Sequence, residues 1–306
     1  MINISQQHYP KLLKQIHTPP PLIFYKGEKI NQSEFNIAIV GTRKYTSYGK
    51  DAAIYLSGQL SKIGITVVSG MAIGIDYWAG KEAIKCRGGS IGVLGCGINI
   101  VYPQENEDLF KEIVVNGSII TEFFPDTPPL KSNFPARNRI ISGLCAGVIV
   151  IEAGEKSGAL ITSEFALNQN REVFAVPGSI FNSESKGCHR LIKNGAKLAE
   201  NVDDILEEIS QFHNAFKFQD IDHGVKNIKS IMTKSLEKKI NENSREYKNL
   251  SSDQKAVFDF LGHRPKSIEE VIRHTSFNVK RALQIITELE LKNLIKEKNL
   301  NEFVRI

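Results

Sequence analysis

The sequence predicts an α/β protein, an open parallel sheet with helices on both faces, followed by a small C-terminal winged-helix domain. Three observations carry that reading. From Asn36 onward, short β-branched apolar runs alternate with amphipathic stretches, as parallel strands joined by helices require. Glycine-bearing turns stand where those runs end. After a polar stretch, periodicity returns at Ser251 as three short helices and a hairpin.

Residues 1–35 are too few for a domain, and Pro19-Pro20-Pro21 marks an extended entry into the first parallel strand, so this segment is expected to be a strap. Strands are expected at 37–40, 65–68, 90–94, 118–121, 147–151 and 173–176. Their continuous apolarity requires helices over both faces of the sheet. Those helices are expected at 48–62, 75–85, 106–114, 138–144 and 160–168, completing a domain over 36–210. Residues 211–250 carry scattered lysines among few apolar residues and read as a linker. In 251–306, helices at 254–261, 267–274 and 279–291 and strands at 294–298 and 302–306 make the winged helix, whose third helix commonly enters a DNA groove. Lys280 and Arg281 on that helix would touch DNA, or the same face would bind protein.

Length and composition bound the function classes. A chain of 306 residues with 41% hydrophobic content can bury a large core. A net charge of +5 permits a polyanionic partner without requiring one. The four cysteines lie far apart with no Cys-x-x-Cys pair, which reads as reduced, mostly buried thiols in a cytoplasmic protein and no metal site. No stretch approaches the roughly 20 apolar residues that span a bilayer, so no membrane segment is expected.

The glycine turns are candidate anion sites. Gly41, Thr42 and Arg43 follow the first strand and precede a helix, so the Gly41 and Thr42 amides can face a phosphate while Arg43 clamps it; a tight turn with an exposed arginine is the alternative. Ser69, Gly70 and Gly74 repeat that setting, and the two glycines leave room where a ligand backbone passes. Asp76, at the start of the next helix, reads as capping rather than as a general base. Leu94-Gly95-Cys96-Gly97 with Tyr102-Pro103 either approaches the ligand or merely turns the chain. In Lys131-Ser132-Asn133-Phe134-Pro135-Ala136-Arg137-Asn138-Arg139, three cations and Asn138 flank an aromatic ring. That is the composition of a single-stranded nucleic acid site, where bases stack regardless of sequence, although Phe134 can equally be a core residue. Ser157, Gly158, Ala159 and Thr162 open a further helix and offer hydroxyls and amides to an anion, or form an ordinary N-cap.

No Gly-x-x-x-x-Gly-Lys-Ser/Thr loop and no Gly-x-Gly-x-x-Gly fingerprint occur, and no histidine shows the paired spacing of a metal site or has a Gly-x-Ser-x-Gly nucleophile nearby, so neither catalytic residues nor a cofactor are expected.

Taken together, Ile39 to Arg43, Ser69 to Asp76, Gly92 to Gly97, Phe134 to Gly143, Ser157 to Thr162, Val176-Pro177-Gly178 and Leu191 to Ala196 resemble the DprA/Smf family of DNA-processing proteins over about 19–205. The resemblance implies an extended Rossmann-like domain that binds single-stranded DNA, protects it and loads the recombinase RecA during natural transformation, as a homodimer and without known enzymatic activity. It also implies a groove lined by Arg43, Lys131, Phe134, Arg137, Asn138 and Arg139 with the Ser69-Gly70 and Ser157-Gly158 turns. The chain departs from the family pattern at His189, where asparagine is expected, and in its short stub before the Rossmann part, where many members have a helical domain. A rival reading is a nucleotide phosphoribohydrolase of the lysine-decarboxylase-like group, whose Gly-Gly-x-Gly-Thr motif is only half matched by Gly158 to Glu164. A third is a sequence-specific regulator acting through the winged helix.

Overall fold

The structure, a computed structural model, describes residues 1–27, 36–216, 250–262, 265–292, 294–299 and 302–305. The chain divides into two compact units, and the division falls within 217–249, outside the described residues. Most of the expected linker lies there too, while its first residues continue a helix to Phe216.

In the first unit, β1 (Ile2–Asn3), α1 (Lys11–Lys14) and β2 (Leu22–Gly27) precede the expected alternation of β3 (Ile37–Val40), α2 (Ser47–Lys62), β4 (Val67–Ser69), α3 (Ile75–Ala83), β5 (Ser90–Val93), α4 (Glu107–Asn116) and β6 (Ser118–Thr121). The second half runs through α5 (Asn133–Gly143), β7 (Gly147–Val150), α6 (Gly158–Asn168), β8 (Glu172–Ala175), α7 (Lys186–Lys193), β9 (Lys197–Leu198) and α8 (Val202–Phe216). The nine strands form one sheet in the order β1-β2-β6-β5-β4-β3-β7-β8-β9. From β6 to β9 every pairing is parallel, whereas β2 joins β6 antiparallel and β1 joins β2 antiparallel. Part of the expected strap is thus an edge of the sheet.

Every residue of β3 and β7 is buried, so these strands need cover on both faces. Alternation along the strands splits the core accordingly. Ile120 joins Ala38, Val40, Val148 and Val150 against Ile140 and Ile141 of α5 and Leu160 and Ala166 of α6, whereas its neighbour Ile119 packs with Leu109, Phe110 and Ile113 of α4. The N-terminal segment belongs to the first cluster through Leu13, Ile16 and Ile23, and the Arg171 guanidinium donates to the Leu12 carbonyl at 2.9 Å.

The second unit has α9 (Ser252–Phe260), β10 (Lys266–Ser267), α10 (Ile268–Thr275), α11 (Val279–Leu291), β11 (Ile295–Asn299) and β12 (Glu302–Arg305). Ser251 with Gln254 and Ser267 with Glu270 form capping boxes that start α9 and α10. The helices pack Val257, Val271, Ile285 and Leu289 against Ile295 and Phe303 of a three-stranded sheet ordered β10-β12-β11, a winged helix.

Candidate nucleic-acid interface

The loops after β3, β4, β5, β6, β7 and β8 share one edge of the sheet, because these strands are parallel. Succession runs from β3 through β4, β5 and β6 on one side and through β7 and β8 on the other. Ligands of open α/β sheets bind where succession reverses in this way, here between the ends of β3 and β7.

The first two glycine turns do cradle an anion, and it belongs to the protein. The Asp76 carboxylate accepts the Gly70 N–H at 2.8 Å, and the nearby Gly41 and Ala72 amides also favour its charged form. The Thr42 amide is committed as well, donating to the Glu152 carbonyl at 2.7 Å. The expectation that the Thr42 amide faces a ligand phosphate is therefore corrected, since it donates to a protein acceptor, and the Gly41 amide lies beside the Asp76 carboxylate. Gly74 has φ +94°, and a Cβ there would stand 2.5 Å from the Thr42 carbonyl oxygen, so its glycine serves the close approach of two turns. Ser69 and Gly70 are buried, and a Cβ on Gly70 would meet the Asp76 carboxylate at 2.8 Å and the Arg137 guanidinium at 2.9 Å. Gly41, Thr42, Ser69, Gly70 and Gly74 build the floor of the edge.

Arg137 is part of that floor. Only 5% exposed, it donates to the Gly70 carbonyl at 2.8 Å and to the Val93 carbonyl, bracing the tips of β4 and β5. Burial lowers its pKa to about 10, the Asp76 charge opposing that shift and the like charge of Arg43 adding to it. Burial raises the Asp76 carboxyl above its ordinary value, outweighing Arg137 and the three amides. The sequence placed Arg137 in the groove; the structure commits its guanidinium to the backbone beneath.

Helix α5 begins at Asn133, not at residue 138, because Pro135 is tolerated in a first turn, where its missing N–H costs nothing. Helical periodicity then separates the cluster, placing Arg137 and Arg139 about 200° apart around the axis. Arg139 forms a bidentate pair with Glu122, at 2.5 and 2.6 Å, and donates to the Thr18 carbonyl at 3.2 Å, so its charge is spent on holding the N-terminal segment. Asn138 Nδ2 reaches the Gly158 carbonyl at 3.4 Å, joining the middle of α5 to the start of α6. The half-buried Phe134 ring lies over Gly95, whose Cβ, were there one, would sit 2.7 Å from it, and meets Tyr102 at a centroid distance of 5.4 Å. Lys131, just before the helix, is exposed.

At α6, Ser157 accepts the Ala159 amide at 3.3 Å, an N-cap as the plainer alternative held, and Ala159 and Thr162 are buried. Gly158 is exposed with open space where a Cβ would be. His189, at the departure from the family pattern, has Nε2 3.1 Å from the Gly178 carbonyl oxygen.

The cations exposed on these loops include Arg43 and Lys44 after β3, Lys131 after β6 and Lys156 after β7, all without an ion-pair partner among the described residues. Exposed rings accompany them: Tyr45, packed edge-on against Trp78 at 6.2 Å, and Tyr102 beside Phe134. Lys44, Tyr45 and Lys156 were not singled out from the sequence as site residues, and Tyr102 was read as either approaching the ligand or turning the chain. A positional signal for them exists, a cation or aromatic ring within a few residues of a buried strand's end.

In the second unit Arg281 pairs with Asp253 at 2.7 Å, while Lys280 is exposed among Val279 and Leu283, which are exposed too.

Residues 1–210 match the model of the family described as DNA recombination-mediator protein A. The chain belongs to the DprA/Smf family. Residues 242–298 match the DprA winged helix domain. The DNA processing protein DprA of Bacillus subtilis is 44% identical over 211 residues, 69% of this chain and 71% of that protein. Protein Smf of Escherichia coli is 42% identical over 68% of this chain, which spans little more than half, 56%, of that relative's length. Among solved structures, DprA from Streptococcus pneumoniae superposes with a TM-score of 0.64 at 42% identity, covering 68% of this chain and 73% of that one. DNA processing protein A from Helicobacter pylori, whose structure is described for its single-stranded DNA binding mode, superposes with a TM-score of 0.61 at 29% identity, covering 70% and 99%. Among the described residues no helix is long and apolar enough to cross a membrane.

Proposed function

We propose that this chain binds single-stranded DNA without sequence preference along the strand-end edge of its first unit, protects the strand and passes it to RecA as a cytoplasmic homodimer in transformation and recombination. The observation that carries the binding step is the placing of Arg43, Lys44, Lys131 and Lys156, cations without an ion-pair partner among the described residues, with the Phe134–Tyr102 platform at one edge of the sheet. Cations neutralise successive phosphates whatever the sequence, and a ring stacks any base, so affinity falls with salt and varies little with base composition. Membership of the DprA/Smf family and the single-strand binding of the Helicobacter pylori protein support the same reading. The reading assigns no catalytic residue, cofactor or metal.

Fluorescence anisotropy with labelled oligothymidine, mixed-sequence single strands and duplex, each at two salt concentrations, tests it. Preference for both single strands over duplex, with a steep loss at high salt, is expected. Equal affinity for duplex, or preference for one duplex sequence, overturns the proposal.

A further inference from the structure

We infer that the crevice between β3 and β7 is closed to free nucleotides by two of the chain's own carboxylates, so that the edge accepts a polynucleotide but not a mononucleotide or dinucleotide. This deepens the single-strand reading by naming what the site rejects, and it stands on different residues.

In nucleotide-binding open sheets the phosphate rests on the N-terminus of the helix after the first parallel strand, where free N–H groups and the helix dipole meet it. Here that helix is α2, capped by Thr46, and Glu152 fills the place. Its carboxylate accepts the Thr46 amide at 2.9 Å, the Thr46 hydroxyl at 2.6 Å and the Asn182 side-chain amide at 3.1 Å. Gly49, in the first turn of α2, leaves the necessary room, for a Cβ there would overlap the Glu152 Oε2 atom. Glu152 is 1% exposed, so the contact is sealed. Across its mouth the Tyr48 hydroxyl donates to the Pro177 carbonyl at 2.6 Å, joining α2 to the loop after β8.

Asp76 does the same at the neighbouring turn, accepting the Gly70 amide at 2.8 Å beside Gly41 and Ala72 while 5% exposed. Both nests that a nucleotide phosphate would use are occupied by groups of the same charge, and a phosphate entering either one meets overlap and like-charge repulsion in a low-dielectric site. A mononucleotide concentrates its charge at one end and depends on such a nest. A polynucleotide needs none, since its phosphates are neutralised one after another at the surface by residues such as Arg43 and Lys131.

The test compares the wild-type full chain with Glu152→Ala and Glu152→Gln, the first removing volume and charge, the second charge alone. Pyrophosphate and AMP are titrated by calorimetry and by following the Thr46 and Gly49 amide signals, with folding checked by circular dichroism. Wild type is expected to bind neither probe at millimolar concentration, and a folded variant to bind pyrophosphate at least about tenfold more tightly. Saturable binding of either probe to wild type with movement of the Thr46 and Gly49 signals, or no gain in any folded variant, overturns the inference. Oligothymidine anisotropy on the same wild-type sample separates the two readings. Its failure removes the single-strand proposal and leaves the closed crevice standing, and the reverse holds for nucleotide binding.

Discussion

Phe134→Ala isolates the stacking contribution. The half-buried ring packs on Gly95 and beside Tyr102, which leaves room on it for one base. Base–aromatic stacking contributes about 1–3 kcal/mol per base, which makes the expected loss of affinity about 5- to 150-fold for every single-stranded sequence. No charge is removed, so the slope of log affinity against log salt stays where it is. The assay is anisotropy with oligothymidine over a salt series, repeated with an oligonucleotide of abasic sites, on which wild type and variant should bind alike. Gly95→Ala, whose Cβ would press on the ring at 2.7 Å, should reproduce part of the loss without touching DNA. An unchanged affinity in Phe134→Ala, or a changed salt slope, refutes the platform.

Arg43→Ala should weaken binding to all sequences alike and flatten the salt slope by about 0.7 for each phosphate that is no longer neutralised, measured in the same titration. Arg139→Ala should leave that slope unchanged, because the charge already pairs with Glu122, yet lower stability by about 1–3 kcal/mol in chemical denaturation, since Glu122 and the Thr18 carbonyl lose their donor. Gly49→Ala should cost about 1–3 kcal/mol through overlap with Glu152, read as a lowered denaturation midpoint. Burial first, and the Glu208 charge second, raise the Glu172 carboxyl above its ordinary value of 4.5, so its favourable contribution to stability is complete below that value and is lost as pH rises through the raised one. Glu172→Gln should therefore be more stable than wild type near neutral pH and indistinguishable from it in acid; a gain at acid pH instead contradicts the sign.

The central parallel strands were legible because a strand buried on both faces must be continuously apolar, as Ile37 to Val40 and Gly147 to Val150 are. β2 was not, since it is an antiparallel strand next to the edge strand β1, with Tyr25 only half buried and Lys26 exposed, and short β9 carries no run at all. The start of α5 was hidden by Pro135 and by charge that reads as a loop, and with it went the helical spacing that sends Arg137 inward and Arg139 toward Glu122. The first two glycine turns, read as places for a ligand phosphate, lie against a carboxylate of the protein itself. Spacing along a chain does not show that Asp76 turns back onto Gly41 and Gly70, or that Glu152, 106 residues beyond Thr46, closes the first turn of α2. Arg43 and Lys131 lie on loops at the strand ends, whereas Phe134, expected before the helix, stands in the first turn of α5.

The most direct measurement is photo-crosslinking of an oligothymidine carrying 5-iodouracil to the full chain, with the attached peptides identified by mass spectrometry. Crosslinks are expected at Phe134 or Tyr102, and they should disappear on competition with unlabelled single strand and at high salt. Crosslinks confined to the winged-helix unit or to the β1 edge of the sheet would contradict a single-strand site at the strand ends.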